Sequence, residues 1–284
     1  MAPARLILDF LARGQSHRYG PHASQRADLY VPSSPGPHPV IVLIHGGSWQ
    51  KRYGKIFTRA LAGDLRRRGF AVWNIEYRRV GAGGGWPNTF ADVAAAIDQL
   101  ATLDDQRLDL DRVTLIGHSA GGHLALWAAA RPNLPAGAPG ALDGPPRVRA
   151  RRVVSLAGVA DLTDAYRRWH GGIVGDLMSG SPEDVPERYA AGDPIRLLPL
   201  EIPALIVHGV RDETVSIEIS RGYVKAAHAA GSEVELVEID GEVGHRTHLD
   251  PSSAAWAAVI ERLDDPTAPV PAAARAAAGQ TSSV

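Results

Sequence analysis

Residues 117–121 read Gly-His-Ser-Ala-Gly, and their types and spacing suit nucleophilic catalysis. An apolar run precedes them and an alanine-rich run follows, which predicts a strand, a sharp turn and a helix. A serine hydroxyl is a poor nucleophile unless it is held exposed beside a base and close to donors for the oxyanion. The glycines at 117 and 121 fit such a turn, because larger side chains would collide there. Ser119 is therefore the candidate nucleophile, provided that its partners lie where this chemistry needs them.

The candidate acid follows a later apolar run. Residues 203–208 predict a buried strand, and Asp212 comes shortly after the strand ends. Open α/β folds gather their ligands at the carboxyl ends of the strands. Asp212 is therefore predicted to orient the base, although an aspartate at this place could equally cap a helix or a turn. Glu213, Asp240 and Asp161 are the alternative acids.

The candidate general base is His245, which follows a predicted strand at 233–239 and is preceded by Gly244. An imidazole with an ordinary pKa of about 6.5 can accept the serine proton and return it to the leaving group near neutral pH. His248 is the competing histidine. We favour His245, because Gly244 frees the backbone of its loop while His248 approaches the start of the last predicted helix.

A glycine loop upstream could supply the oxyanion donors. A predicted strand at 40–45 leads into residues 45–49, which read His-Gly-Gly-Ser-Trp. Glycines let backbone N–H groups point at a developing oxyanion, and the residue after the nucleophile, here Ala120, supplies a further N–H. A plain Gly-Gly turn is the alternative interpretation. His45 is expected to brace this loop by hydrogen bonds.

The remaining pattern predicts the elements that must position these residues. Apolar runs alternate with helical patterns, as in a mostly parallel central sheet with helices on both faces. The predicted strands lie near 26–31, 40–45, 70–76, 112–117, 152–157, 203–208 and 233–239. The predicted helices lie near 55–68, 89–103, 119–130, 216–230 and 252–263, with Gly69 as a C-cap. Residues 131–146 predict a surface loop, and residues 161–200 a partly helical, cap-like insertion at the sheet edge.

Length and composition limit the classes of protein to which the chain can belong. The chain has 284 residues, 45% of them hydrophobic, which suits one α/β domain over residues 1–265 followed by a mobile tail at 266–284. A net charge of -1 favours neither a nucleic-acid groove nor a polyanionic partner. The absence of cysteine excludes disulfides and thiolate chemistry. No apolar run is long enough to cross a membrane, so we expect a cytoplasmic protein.

Several segments, taken in order, resemble the serine esterases of the α/β-hydrolase fold. The nearest groups are the carboxylesterases, the acetyl-xylan and feruloyl esterase-like enzymes and the kynurenine formamidase-like enzymes. The matching segments are residues 45–49, 76–78 and 86–87, Asp92, residues 117–123, and the segments around Asp212 and His245. The chain order of serine, acid and histidine is also that of this fold, and differs from the order in chymotrypsin and subtilisin. The resemblance covers about residues 25–263.

The resemblance implies an α/β-hydrolase fold and ester hydrolysis without a cofactor. It assigns the oxyanion hole to the backbone N–H groups of Gly47, Ser48 and Ala120, with Ser48 at a position where relatives often have a third glycine. Members of the formamidase-like group often carry an aromatic residue after the catalytic histidine. Here Arg246 follows His245, which argues against formamide hydrolysis.

Aromatic side chains are candidates for the wall of a substrate pocket. Trp49, Trp86, Trp169 and His170 could line a site for an acyl or alcohol group, because aromatic walls suit apolar substrates. His245, His248 and Asp250 could in principle bind a metal ion, but no H-E-x-x-H pattern is present and the triad explains His245 better. We predict neither a metal nor a cofactor.

The sequence thus predicts a serine hydrolase that cleaves small carboxylic esters through an acyl-enzyme intermediate. Ser119, Asp212 and His245 would form its catalytic triad. One alternative is an arylformamidase that uses the same residues on N-formyl-kynurenine. Another is a non-catalytic relative that binds a small ligand, although such proteins typically lose a triad residue. The expected partner is a small ester or formamide, with neither nucleic acid nor membrane, and the sequence does not predict an oligomeric state.

Overall fold

The computed structural model describes residues 13–241 and 243–263, in which eight strands form a sheet. These are β1 Gln15–Arg18, β2 Arg26–Tyr30, β3 His38–Ile44, β4 Ala71–Ile75, β5 Leu108–His118, β6 Ala150–Leu156, β7 Ala204–Gly209 and β8 Val234–Ile239. Their order across the sheet is β1-β2-β4-β3-β5-β6-β7-β8. Strand β2 runs antiparallel to β1 and β4, and the other neighbours are parallel. The loops that follow β3, β5, β7 and β8 therefore meet at one edge of the sheet.

Helices connect most of these strands. The α-helices are α1 Arg59–Arg67, α2 Asn88–Asp98, α3 Ala120–Ala129, α4 Leu162–Arg168, α5 Gly172–Met178, α6 Pro186–Gly192, α7 Ile217–Ala229 and α8 Ala254–Ile260. Short 3-10 helices lie at Lys55–Thr58, Gln99–Thr102, Arg131–Asn133, Pro194–Leu197 and His245–Leu249. In the described part of the chain, no helix combines the length and the apolar character that a bilayer-crossing segment needs.

Strand β3 shows how the core is divided between the two faces of the sheet. Val40, Val42 and Ile44 pack on the face that α2, α3 and α7 cover. Ile41 and Leu43 point to the other face and pack against α1 and α8. All seven residues of β3 are buried, which explains why its sequence is an apolar run and not an alternating pattern. The predicted fold class, an α/β-hydrolase with helices on both faces of a mostly parallel sheet, is confirmed.

Helix α1 ends as its sequence predicts. Gly69 has φ +97°, a conformation that favours glycine. Its N–H donates to the carbonyl of Arg66, and the N–H of Phe70 donates to the carbonyl of Leu65. These two bonds satisfy carbonyl groups that the end of the helix would otherwise leave unpaired. The chain then turns directly into β4.

The structure also departs from the predicted elements. Strand β1 was not predicted, because its sequence Gln-Ser-His-Arg is polar and mostly exposed at the edge of the sheet. Helix α2 ends at Asp98, and a 3-10 helix replaces the last turn of the predicted segment 89–103. The segment 161–200 contains α4, α5, α6 and a 3-10 helix, in keeping with a partly helical insertion. The predicted tail at 266–284 lies outside the described residues.

Candidate active site

Ser119 occupies the turn between β5 and α3. Its φ of +55° and ψ of -122° place a non-glycine residue in a sparsely populated conformation. The turn is held by a hydrogen bond of 2.8 Å from the N–H of Ser119 to the carbonyl of Leu156 in β6. Strained backbone of this kind persists only where the surrounding structure fixes it. The structure thus places Ser119 on the sharp strand-to-helix turn that the sequence predicts.

The two glycines of the motif are required by close backbone contacts. A Cβ atom on Gly117 would lie 1.9 Å from the carbonyl oxygen of Gly121. A Cβ atom on Gly121 would lie 2.1 Å from the carbonyl oxygen of Ile44, at the end of β3. Both distances are far below van der Waals contact, so any larger residue must displace the backbone. Gly121 therefore sets how closely the nucleophile turn approaches the loop after β3.

Replacing Gly121 with alanine is expected to lower the free energy of unfolding by about 2–4 kcal/mol, because a backbone carbonyl cannot swing aside as a side chain can. Urea unfolding followed by circular dichroism measures the change. The matched control is Gly222→Ala in α7, where nothing lies within 4 Å of the new Cβ. There we expect a gain of about 0.5–1 kcal/mol from helix propensity. Equal effects of the two substitutions would contradict this account of the turn.

Asp212 and His245 are brought together by the loops after β7 and β8. The Nδ1 atom of His245 lies 2.7 Å from Oδ2 of Asp212, across 33 residues of sequence. Asp212 is buried, whereas the histidine ring retains 13% exposure. Because a carboxylate accepts this bond, Nδ1 carries a proton, and in the neutral form of the ring Nε2 keeps its lone pair. This is the tautomer that a general base needs.

Asp212 is held as a carboxylate from several sides. Its Oδ1 accepts hydrogen bonds from the backbone N–H groups of Thr214 and Val215, at 2.8 and 3.0 Å. Nε2 of His208 lies 3.5 Å from Oδ2. Burial raises the pKa of Asp212, but the neighbouring His208 and the hydrogen bond from His245 outweigh it and hold that pKa well below its ordinary value. The carboxyl group therefore stays ionised near neutral pH.

Two further histidines hold the backbone at His245. Nε2 of His118 donates to the carbonyl oxygen of His245 at 2.9 Å, and Nδ1 of His248 donates to the same oxygen at 3.1 Å. Burial and the two neighbouring histidines keep the pKa of His118 well below its ordinary value. Burial lowers the pKa of His248 to about 4. Both rings are thus neutral and serve as hydrogen-bond donors near neutral pH.

The competing residues lie in other roles. His248 is completely buried and lines neither of the cavities beside Ser119. Asp161 caps α4 by accepting a hydrogen bond of 2.7 Å from the N–H of Asp164. Glu213 and Asp240 are exposed. Of the four candidate acids, Asp212 is the one that bonds to His245.

The loop after β3 has an unusual backbone. Gly47, Ser48 and Trp49 have consecutive positive φ angles of +113°, +54° and +54°. A Cβ on Gly46 would lie 2.6 Å from the carbonyl oxygen of His118, which explains the glycine beside the nucleophile turn. Gly47 and Ser48 line a cavity together with Ser119. Ala120, the other predicted contributor to the oxyanion hole, is the first residue of α3.

The buried side chain of His45 holds this loop in place. Its Nδ1 lies 2.7 Å from the carbonyl oxygen of Gly46, and its Nε2 lies 2.8 Å from Oε1 of Glu76. The ring of Tyr77 stacks on the imidazole at 4.3 Å, and its hydroxyl donates to the carbonyl of His45. Burial raises the pKa of Glu76, but His45 and Arg79 outweigh this effect and lower it overall. The loop is therefore anchored by buried polar contacts to the segment that directly follows β4.

Ser119 lies between two cavities that share Ser48 and Thr214. The histidine-side cavity, of about 160 Å³, is lined by Gly46, Gly47, Ser48, Tyr53, Phe57, His118, Ser119, Thr214, His245, Arg246 and Leu249. The insertion-side cavity, of about 320 Å³, is lined by Ser48, Trp49, Ser119, Ala120, Val159, Trp169, Gly172, Ile173, Thr214 and Val215. The segment 161–200 thus forms part of a wall beside the nucleophile.

The predicted pocket residues divide into two groups. Trp49 and Trp169 line the insertion-side cavity. Trp86 and His170 line neither cavity, which corrects our expectation for them. Trp86 packs edge-on against Phe90 in the core, and His170 is exposed at the left-handed turn between α4 and α5. Their aromatic character gave no information on which way the chain would turn them.

Other residues of the site were not predicted from the sequence. Thr214 lines both cavities, and its position two residues after Asp212 is the signal that could have revealed it. Tyr53 and Phe57 come from the segment before α1, which carries no catalytic motif. Within the described ranges, no group of three or more His, Cys, Asp or Glu side chains is placed to hold a metal ion.

The chain is similar in sequence to known proteins. The BD-FAE family model matches residues 27–226. Esterase LipC of Mycobacterium tuberculosis is 28% identical over 245 residues, which are 80% of this chain and 58% of the relative. A probable isoprenylcysteine alpha-carbonyl methylesterase of Arabidopsis thaliana, ICMEL1, is 25% identical over 246 residues, which are 82% of this chain and 50% of the relative. The chain thus spans about half the length of these relatives.

Solved structures show the same fold. A truncated carbohydrate esterase from gut microbiota superposes with a TM-score of 0.74 at 21% identity, covering 88% of this chain and 95% of that one. Esterase B from Lactobacillus rhamnosis superposes with a TM-score of 0.73 at 21% identity, covering 92% of this chain and 89% of that one.

Proposed function

Because the chain belongs to the BD-FAE family, we propose that it is a serine hydrolase that cleaves small carboxylic esters through an acyl-enzyme intermediate. One observation carries the proposal. Ser119, on its strained turn, lines the same cavity as His245, whose Nδ1 atom lies 2.7 Å from the carboxylate of Asp212. A nucleophile, a base and a group that orients the base are the parts of the triad mechanism.

The reaction follows from the tautomer of His245. Its unprotonated Nε2 accepts the proton of Ser119 as Oγ forms a bond to the ester carbonyl carbon. The resulting imidazolium is stabilised by the buried carboxylate of Asp212, and it gives the proton to the alcohol oxygen as the C–O bond breaks. Water then attacks the acyl-enzyme with His245 again as base, which releases the acid and restores Ser119.

The oxyanion of each tetrahedral intermediate would be held by the backbone N–H groups of Gly47, Ser48 and Ala120. The consecutive positive φ angles from Gly47 to Trp49 support this role, because successive turns of this kind form concave anion sites. Ala120 begins α3, whose N-terminal dipole favours negative charge. The anchoring of this loop by His45 would keep the donors in place without reorganisation during the reaction.

The named relatives support an ester as the substrate. LipC is an esterase, and ICMEL1 is a probable methylesterase. The two cavities beside Ser119, of about 320 and 160 Å³, leave room for the acyl part and the alcohol part of a small ester. The arylformamidase alternative uses the same residues, and no observation favours it over ester hydrolysis. The cytoplasmic location expected from the sequence stays a prediction.

A substrate panel tests the proposal. We expect hydrolysis of p-nitrophenyl acetate and butyrate with kcat/KM at least about tenfold above that for N-formyl-kynurenine. A preparation of Ser119→Ala made in parallel controls for contaminating esterases. Faster turnover of N-formyl-kynurenine would favour the formamidase, and no turnover of any ester would refute the proposed function.

A further inference from the structure

The two cavities beside Ser119 differ in their chemistry, and this difference points to a class of substrate. We propose that the alcohol part of the ester occupies the histidine-side cavity, and that Arg246 there favours alcohols bearing a carboxylate. The inference rests on the proposed function, since it assumes that Ser119 attacks an ester. It adds the direction in which the ester binds and the charge of one of its ends.

The direction follows from where a proton must go. When the tetrahedral intermediate collapses, the departing alcohol oxygen takes its proton from Nε2 of His245. The alcohol part must therefore lie beside that ring, and the ring lines the histidine-side cavity alone. The acyl part is left with the insertion-side cavity. Ser119 lines both cavities, as this arrangement requires.

The insertion-side cavity is apolar and carries no charged side chain among its lining residues. Its wall is made by Trp49, Val159, Trp169, Ile173 and Val215. An acyl group bearing a charge would lose its hydration there without a partner, at a cost that disfavours binding. This side therefore suits a neutral acyl group.

The histidine-side cavity has a different character. Tyr53, Phe57 and Leu249 give it an apolar and partly aromatic wall, and Arg246 adds a permanent positive charge. Arg246 is exposed, and its side chain makes no ion pair or hydrogen bond with any other described residue. The guanidinium of Arg52 lies 5.0 Å from the ring centroid of Tyr53, but Arg52 does not line the cavity. A ring packed on the aromatic wall with a carboxylate directed at Arg246 would satisfy both features.

The exposure of Arg246 limits how strongly it can favour an alcohol that bears a carboxylate. Solvent and salt screen a guanidinium at a cavity rim, so it should change selectivity by a modest factor of about three- to tenfold. A charge acting across solvent must also weaken as salt is added. This salt dependence separates an electrostatic contact from a change in the shape of the loop.

The test compares the full chain with its variants on two esters that share an acetyl group, 3-acetoxybenzoate and 3-acetoxybenzamide. The measured quantity is the ratio of kcat/KM for the carboxylate over the amide, in which the intrinsic reactivities cancel between variants. We expect the ratio to fall about three- to tenfold in Arg246→Gln, and further in Arg246→Glu. Arg246→Lys should retain most of it. The differences in this ratio between the unmodified chain and the Arg246 variants should become smaller as NaCl is raised from about 0.02 to 0.5 M.

Two controls separate the position of the Arg246 charge from a general loss of positive charge. Arg149→Gln removes an exposed arginine just before β6, at the amino end of that strand, whereas Ser119 follows the carboxyl end of β5. This variant should leave the kcat/KM ratio unchanged. A second pair of esters, phenyl adipate monoester and phenyl adipamate, moves the carboxylate to the acyl part. The ratio for this pair should change by less than about twofold in Arg246→Gln.

The possible failures are distinguishable. If the unmodified chain hydrolyses neither the acetoxy esters nor p-nitrophenyl acetate, the proposed function itself fails. If it hydrolyses p-nitrophenyl acetate but neither acetoxy ester, the proposed fit of such alcohols to the histidine-side cavity is refuted and the proposed function stands. Suppose that the unmodified chain hydrolyses both acetoxy esters, and that Arg246→Gln and Arg246→Glu each give the same kcat/KM ratio as the unmodified chain. Only the role of Arg246 is then refuted. If the substitutions change the adipate pair as much as the acetoxy pair, the assignment of the two cavities is refuted. A ratio that changes equally at low and high salt would refute the electrostatic contact.

Discussion

Ser119→Ala should lower kcat/KM for p-nitrophenyl acetate by about 10⁵- to 10⁶-fold, because no other step of the mechanism can form the acyl-enzyme. The expected loss is large, since the base and the acid act only through the serine oxygen. Residual activity would come from the oxyanion donors and from binding of the ester alone. Initial rates with purified protein, followed at the absorbance of p-nitrophenolate, give the ratio directly.

The folded state should survive this substitution. Alanine keeps the Cβ atom of Ser119 and removes only the hydroxyl, so thermal unfolding should be nearly unchanged. Ser33→Ala, in an exposed turn between β2 and β3, is the matched control and should retain full activity. Activity in Ser119→Ala above about a tenth of that of the unmodified chain, with Ser33→Ala as reference, would remove the serine from the mechanism.

Asp212→Asn should lower kcat by about 10⁴-fold, although it changes one atom and preserves the shape of the side chain. In the unmodified chain, Nδ1 of His245 bonds to Oδ2 of Asp212 at 2.7 Å. In the variant, the amide can turn its NH2 group toward Nδ1 instead. Nδ1 would then be the acceptor, the proton would move to Nε2, and the ring could no longer take the proton of Ser119. Steady-state kinetics with p-nitrophenyl acetate measure the loss.

Glu213→Gln provides the contrast for this prediction. It neutralises the adjacent carboxyl group, which is exposed and was an alternative acid, and should change kcat by less than about twofold. Comparable losses in the two variants would indicate a general effect of negative charge near the site. A loss of less than about tenfold in Asp212→Asn would show that Asp212 does not set the tautomer of His245.

Much of the fold could be predicted because its signals are local. The apolar run of β3 reflects burial on both faces, and Gly69 marks the end of α1. The glycines at 117 and 121 reflect contacts within one tight turn and with the strand beside it. Strand β1 lacked such a signal, because a short and exposed edge strand requires no apolar residues.

The walls of the site could not be predicted in the same way. The bond from His118 to the carbonyl of His245 spans 127 residues, and no motif links the two positions. Whether Trp169 or Trp86 faces Ser119 depends on how the insertion and α2 pack, which the aromatic side chains themselves do not determine. Motifs thus locate the residues that react, whereas the pocket around them depends on tertiary packing.

Covalent labelling with a fluorophosphonate tests the central claim most directly, because the reagent requires an activated serine and not a particular substrate. Intact-mass measurement should show one adduct per chain, and peptide mapping should place it on Ser119, with loss of esterase activity in proportion to labelling. Asp212→Asn should label much more slowly. An adduct on another residue, or an unlabelled chain that still hydrolyses p-nitrophenyl acetate, would contradict the account.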